Sequence, residues 1–176
     1  MIKTAQLYID ELKIKQLECW YDEKNIYYSG WVGNLLSNFD ENNEGWHQFV
    51  SIDKNDNIIG YISYGVDWVT MTADRFGIIS FDKGNIEFAR DLYKVIYDLF
   101  KKYNMNRVSF SCIADNPAIR GYRNFIKRYG GKECAYYRQC TKLQDGKLHD
   151  TVNFEILKNE FKPLRKVEKE VEDDAD

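Results

Sequence analysis

Residues 81–96, FDKGNIEFARDLYKVI, place one glycine, Gly84, between a short apolar run (GIISF, 77–81) and a long amphipathic pattern. A helix N-terminus carries unpaired backbone N–H groups and a partial positive charge. A glycine joint lets those groups approach an anion, so this stretch could open a phosphate cradle. The same residues would also make a plain strand-to-helix turn. Asp82 and Glu87 flank the joint, and a carboxylate in a first helical turn competes with phosphate for the same N–H groups. Lys83 is the single compensating cation.

The other candidates carry less. Arg120, Arg123, Lys127 and Arg128 in IRGYRNFIKRYGGK (119–132) suit phosphates, but on a helix they cannot all face one way, and a solvated face explains them equally. The aromatic segment WYDEKNIYYSGW (20–31) could line a pocket, although core packing accounts for Trp20 and Tyr21 as well. His47 and His149 have no Cys or Ser at a recognisable spacing, so no nucleophilic triad is indicated and both read as structural or surface residues. Cys19, Cys112, Cys134 and Cys140 form no C-x-x-C pair, and with two histidines a metal site is not expected.

The formal net charge of −3 gives no electrostatic case for nucleic-acid binding. The first residues, MIKTAQLYIDELKIKQ, contain no apolar signal core, and no run of about 18 apolar residues suggests a membrane span. A reduced, cytoplasmic protein with no membrane partner is expected.

These residues must be positioned by regular elements. A strand is expected near AQLYI (5–9), then a helix over 10–29 capped by Asp10, with Ile14, Leu17, Trp20 and Tyr21 at helical steps. A second short helix is expected in 30–40 and a loop in DENNEG (40–45). WHQFVSID (46–53) and IIGYISYGVD (58–67), joined by KNDN, read as a hairpin. An irregular connection (68–75) leads to a third strand, 76–82. Next comes a helix whose apolar stripe runs from Ala89 through Leu92, Tyr93, Ile96, Leu99 and Phe100 to Tyr103. RVSFSCIA (107–114) is a strand, 116–129 a helix with Pro117 in its first turn and Gly130–Gly131 at its end, and 132–143 with 149–157 a last hairpin. Residues 1–160 read as one domain and 161–176 as a charged, acidic-ending tail, frayed or disordered. The order predicts an α+β fold with a mixed sheet, helices on both faces and a crossover through 76–114, expected right-handed.

This order, with the residues at its joints, resembles the GNAT superfamily of acyl-CoA-dependent N-acyltransferases. The resemblance runs from about Lys3 to Phe161. It rests on IIGYISYGVD, GIISFDKGNIEFARDLYKVI, ADNPAIRGY (similar to the family's Asn-x-x-Ala-x-x-x-Tyr helix opening) and the closing hairpin LQDGKLHDTVNFEIL. It implies a mostly antiparallel sheet with a splayed parallel strand pair, and acetyl-CoA as acyl donor. The donor would be held by Ile79, Phe81, Lys83, Gly84, Asn85, Ile86, Glu87 and Asn116. Aligned on Gly84, the family's Gln/Arg-x-x-Gly-x-Gly/Ala pattern keeps only its central glycine, since Phe81 replaces the polar first residue and Ile86 the small last one.

The resemblance further implies Tyr122 as the acid that protonates the leaving thiolate, where a weak donor suffices. Packing against the sheet is the plainer role for that tyrosine. A base would come from Asp67, Asp74 or Glu87, with Asp67 the leading candidate. Asp115 stands at the family's Asn position and is either that residue's replacement or the helix cap, and Asn116 beside it could contact the pantetheine arm. The acceptor would be a primary amine of a small molecule or a protein, and homodimerisation through the last hairpin is an option. A catalytically silent GNAT-fold protein that binds CoA or a protein partner is the alternative.

Overall fold

A computed structural model describes residues 1–22, 25–27 and 37–164. Its frame is a seven-stranded sheet: β1 (Ile2–Thr4), β2 (Trp46–Ile52), β3 (Ile58–Asp67), β4 (Thr72–Ser80), β5 (Arg107–Ile113), β6 (Lys132–Lys142) and β7 (Leu148–Leu157). The spatial order is β1-β2-β3-β4-β5-β7-β6. All neighbours are antiparallel except β4 and β5, which are parallel. Among the described residues three α-helices accompany them: α1 (Ile9–Tyr21), α2 (Ile86–Lys101) and α3 (Ile119–Tyr129).

Side chains alternate across a strand, so each face of the sheet needs its own cover. One apolar cluster joins α2 and α3 to Ile62, Tyr64, Phe110 and Phe154. The other sits under α1, where Leu12 packs with Val50, Ile52, Ile58 and Tyr61. Helices on both faces and a mixed sheet match the expectation. The 40–45 loop is held by Asp40, whose carboxylate accepts from Asn42, Gly45 and Trp46 N–H groups and lies below the usual carboxylate range for that reason, the Gly45 bond contributing most.

Several expected boundaries move. The opening strand is Ile2–Thr4, not 5–9: Ala5–Tyr8 is a 3-10 turn, and Leu7, 75% exposed, breaks the alternation a strand would need. Helix α1 ends at Tyr21 rather than 29, and Asp10 lies inside it while Tyr8 occupies the cap position. Its buried residues are Leu12 and Gln16, whereas Ile14 and Tyr21 are exposed. Gln16 takes the core position because its amide donates to Ser37 Oγ at 2.7 Å and accepts from Ser37 N at 3.0 Å. A satisfied amide can be buried where an unpaired one could not. The helix expected at 30–40 lies mostly outside the described residues, and 37–40 are not helical.

Strand β4 starts at Thr72, inside the stretch expected to be irregular, because a tight turn at 67–71 with Met71 at φ 53° delivers the chain straight into it. Helix α3 begins at Ile119 instead of 116. The chain stays packed beyond 160: Phe161 stacks on Phe100 at 4.6 Å and Leu164 N donates to the Tyr93 hydroxyl. The rest of the acidic tail lies outside the described residues.

Candidate functional site

Strands β4 and β5 share only two register pairs, Thr72–Arg107 and Ala73–Val108. Beyond them, among the described residues, β4 pairs only with β3 and β5 only with β7. The sheet is therefore split from Asp74 onward, and the facing edges carry unpaired main-chain groups. The cause is local. Gly65 lies opposite Asp74 while Ser63 lies opposite Gly77, so β4 holds one extra residue. Arg75, at φ 53°, is that bulge and bends the strand away from β5.

The Arg75 guanidinium pairs with Asp74 at 3.0 Å, sits 5.2 Å over the Trp46 ring and lies directly on Gly65, where any Cβ would collide with it. No expectation was attached to Arg75. The available signal was Gly65 inside an otherwise regular strand pattern, which marks a bulge or a close approach.

At the far end of β4 the chain turns through 81–85 into α2. Gly84 has φ 82° with nothing within 4 Å of where a Cβ would stand, so it is there for its backbone angle and leaves open space above it. Asn85 caps α2: its Oδ1 accepts from Glu87 N at 2.8 Å and Phe88 N at 3.1 Å, and its Nδ2 donates to Asp82 Oδ2 at 2.8 Å. The main-chain amides of Lys83, Gly84 and Ile86 have no partner among the described residues. Ile86 is 68% exposed and points away from the core. Phe81 and Ile79 pack in the cluster under α1, and the Phe81 N–H donates to Ile59 O at 3.0 Å, so neither the side chain nor the amide of Phe81 is open to an anion. Glu87 turns to a separate surface depression of about 230 Å³ beside the β2–β3 turn, shared with Asp53, Asp91 and Arg90.

Tyr122 lies in the first turn of α3, half-buried, with its ring 5.3 Å from Phe110 and 6.0 Å from Phe154. Its hydroxyl has no hydrogen-bond partner among the described residues. Burial, and then the nearby Cys112, push the phenol above its ordinary range. Asn116 caps α3's entry by accepting from Ala118 N at 2.9 Å. Asp115 does not cap the helix: its carboxylate lies 3.0 Å from His149 Nδ1. His149 Nε2 in turn lies 3.1 Å from Asp145 Oδ2. This cluster joins the β5–α3 turn to the last hairpin, and neither spacing nor residue type announced it.

Asp67 is held elsewhere. It accepts from Val69 N at 2.9 Å and Thr70 N at 3.2 Å, and these bonds, Thr70's foremost, keep its carboxyl below the usual range. It stands at the closed end of the split, separated from the 81–85 loop by the length of β4, roughly 26 Å at about 3.3 Å per residue. Of the basic residues on α3, Arg123 pairs with Glu133 at 2.7 Å and Arg128 lies over Tyr129, whereas Arg120 and Lys127 have no ion pair among the described residues. All four cysteines are free. Among the described residues no group of three or more His, Cys, Asp or Glu is arranged to hold a metal ion, and no helix is long and apolar enough to cross a membrane.

No protein-family model matches the sequence, and no curated protein matches it. Solved structures do. The spermidine N-acetyltransferase of Vibrio cholerae in complex with CoA and spermine is 19% identical, with a TM-score of 0.64 over 91% of this chain and 96% of that one. A chimera of that enzyme with hSSAT is 20% identical, with a TM-score of 0.66 over 90% and 95%. The ribosomal-protein-S5-alanine acetyltransferase of Vibrio fischeri is 20% identical, with a TM-score of 0.56 over 69% and 67%. At this identity the likeness establishes the fold.

Proposed function

We propose that this chain, which has the fold of the GNAT N-acetyltransferases, transfers an acetyl or other short acyl group from an acyl-CoA thioester to a primary amine. The split between β4 and β5 carries this reading. An extended pantetheine arm, with its amides, complements two facing strand edges that have lost each other. The free amides of Lys83, Gly84 and Ile86 stand where a diphosphate would close the arm's outer end. Two more amides become available if Asn85 swings aside. Bound CoA would supply an activated thioester. Arg120 and Lys127 are the α3 cations left to meet its outer phosphate.

The amine nitrogen attacks the thioester carbonyl carbon, a C–N bond forms, the C–S bond breaks, and the sulfur leaves as thiolate. Main-chain N–H groups beside the Arg75 bulge face the split and can polarise that carbonyl. Tyr122 donates its phenolic proton to the thiolate, and the ring wedged against Phe110 fixes its direction. For the proton released by the amine we assign Asp74 rather than Asp67, because Asp74 is the first β4 residue beyond the last β5 pair. The acceptor is a small-molecule amine or a protein amine. The outer edge of β6 is unpaired among the described residues and is where a homodimer would form.

A second reading has its own observation. Asn85 already satisfies two helix amides, which suits a catalytically silent protein that binds CoA or a partner without turnover. Calorimetric titration with acetyl-CoA, then thiol release over a panel of diamines, amino acids and lysine peptides, separates the two. Binding with acceptor-dependent thiol release that falls in Tyr122→Phe supports the transferase. Binding with no release on any amine supports the silent protein. No binding at millimolar acetyl-CoA ends both CoA-based readings.

A further inference from the structure

On the α2–α3 side, two rings cross the split where main-chain pairing has stopped. Phe76, the residue after the bulge, meets Phe110 of β5 with centroids 6.4 Å apart at 74°, an edge-to-face contact within the range where rings touch. Each is backed from behind. Tyr64 lies 5.3 Å from Phe76, while Tyr122 and Phe154 each lie 5.3 Å from Phe110. Phe110 is buried and stacked on Phe154 at 18°, so it has no room to retreat. Below this bar the strands close again at Ala73–Val108, both fully buried. Above it, β4 runs from Phe76 to the loop at Phe81, roughly 16 Å of strand at about 3.3 Å per residue.

A thioester arm anchored at the loop and laid along that edge ends against the rings. Resting on the reading that the donor lies in the split, we propose that Phe76 and Phe110 form the end wall of the acyl site and limit the donor to short acyl groups, excluding longer linear chains. Four further methylenes would need the volume the two rings fill. Phe76 is the member that can give way, being half-buried and not locked into the deeper stack.

The test is calorimetric binding of free CoA, acetyl-CoA and hexanoyl-CoA to the wild type and to Phe76→Ala, with melting curves to show both are folded. The wild type should bind free CoA and acetyl-CoA within a few-fold of one another, and hexanoyl-CoA about tenfold or more weaker. Phe76→Ala should leave free CoA unchanged and bring hexanoyl-CoA to the affinity of acetyl-CoA or better. If Phe76→Ala does not melt cooperatively, Phe76→Leu is read the same way, with a smaller gain. Equal wild-type affinity for the acetyl and hexanoyl thioesters, or an unchanged ratio in a folded variant, overturns the wall alone. No binding of free CoA overturns the donor site itself and the wall with it.

Discussion

His149 is clasped between carboxylates from two different turns, 3.0 Å from Asp115 and 3.1 Å from Asp145. Both ring nitrogens face acceptors, which only the imidazolium satisfies with two N–H donors. The hydrogen bond to Asp115, seconded by Asp145 against some desolvation, therefore raises the His149 pKa. His47 is the opposite case, with Nε2 buried and without a hydrogen-bond partner among the described residues, and burial lowering its pKa. These are the chain's two histidines. Their NMR ring signals should titrate on opposite sides of the ordinary value of about 6.5, and Asp115→Asn should move only the upper one down. The raised folded pKa means the clasp's stabilisation is complete below about pH 6.5 and is lost as pH rises through the folded value. His149→Gln should flatten that alkaline decline in melting temperature. Coincident titration of the two rings would show the clasp absent in solution.

Why some of this was legible and some not follows from range. The β2–β3 hairpin, α2 and the Gly130–Gly131 stop were readable because hydrophobic period, turn residues and glycine act within a few positions. Gly130 and Gly131 show it: both have φ 98°, an angle the turn itself demands and glycine readily adopts. Helix α1 misled because Gln16, polar by type, earns its buried place from Ser37, 21 residues away. The clasp at His149 depends on distant turns, which no local pattern encodes, and the bulge at Arg75 leaves only Gly65, in the neighbouring strand, as its sign. The split was foreseen only through the resemblance, since nothing in the residues of β4 and β5 taken alone says they part at Ala73.

Asn85 gives a sharper test of the loop. As the α2 cap it satisfies Glu87 N and Phe88 N, so Asn85→Ala should cost about 1 kcal/mol of stability. The two amides it frees are ones an anion could use. Saturating CoA should therefore restore more melting temperature to Asn85→Ala than it adds to the wild type, and the CoA dissociation constant should not rise. A weakened CoA affinity in this variant would mean the Asn85 amide itself holds the ligand.

Gly84 and Gly131 both have positive φ but should fail differently. Gly84 has open space around it, so Gly84→Ala bears only the left-handed backbone penalty of about 1–2 kcal/mol. Gly131→Ala bears the same penalty and also drives a methyl into Glu155 O and the Ile156 side chain. Chemical denaturation should rank Gly131→Ala as clearly the less stable, while CoA binding should suffer more in Gly84→Ala. Equal destabilisation would show that the β7 contact can relax.

Tyr122→Phe removes one oxygen that has no hydrogen-bond partner among the described residues, so stability should change by no more than about 0.5 kcal/mol. If that oxygen protonates the thiolate, kcat should fall by roughly a hundredfold or more while the KM for acetyl-CoA holds. Burial keeps the phenol above its ordinary value of about 10. The neutral donor form should thus persist, and the wild-type kcat profile should show no alkaline loss assignable to Tyr122 below about pH 10. A variant that keeps most of its kcat would show that water protonates the thiolate, leaving the ring of Tyr122 as backing for Phe110 and nothing more.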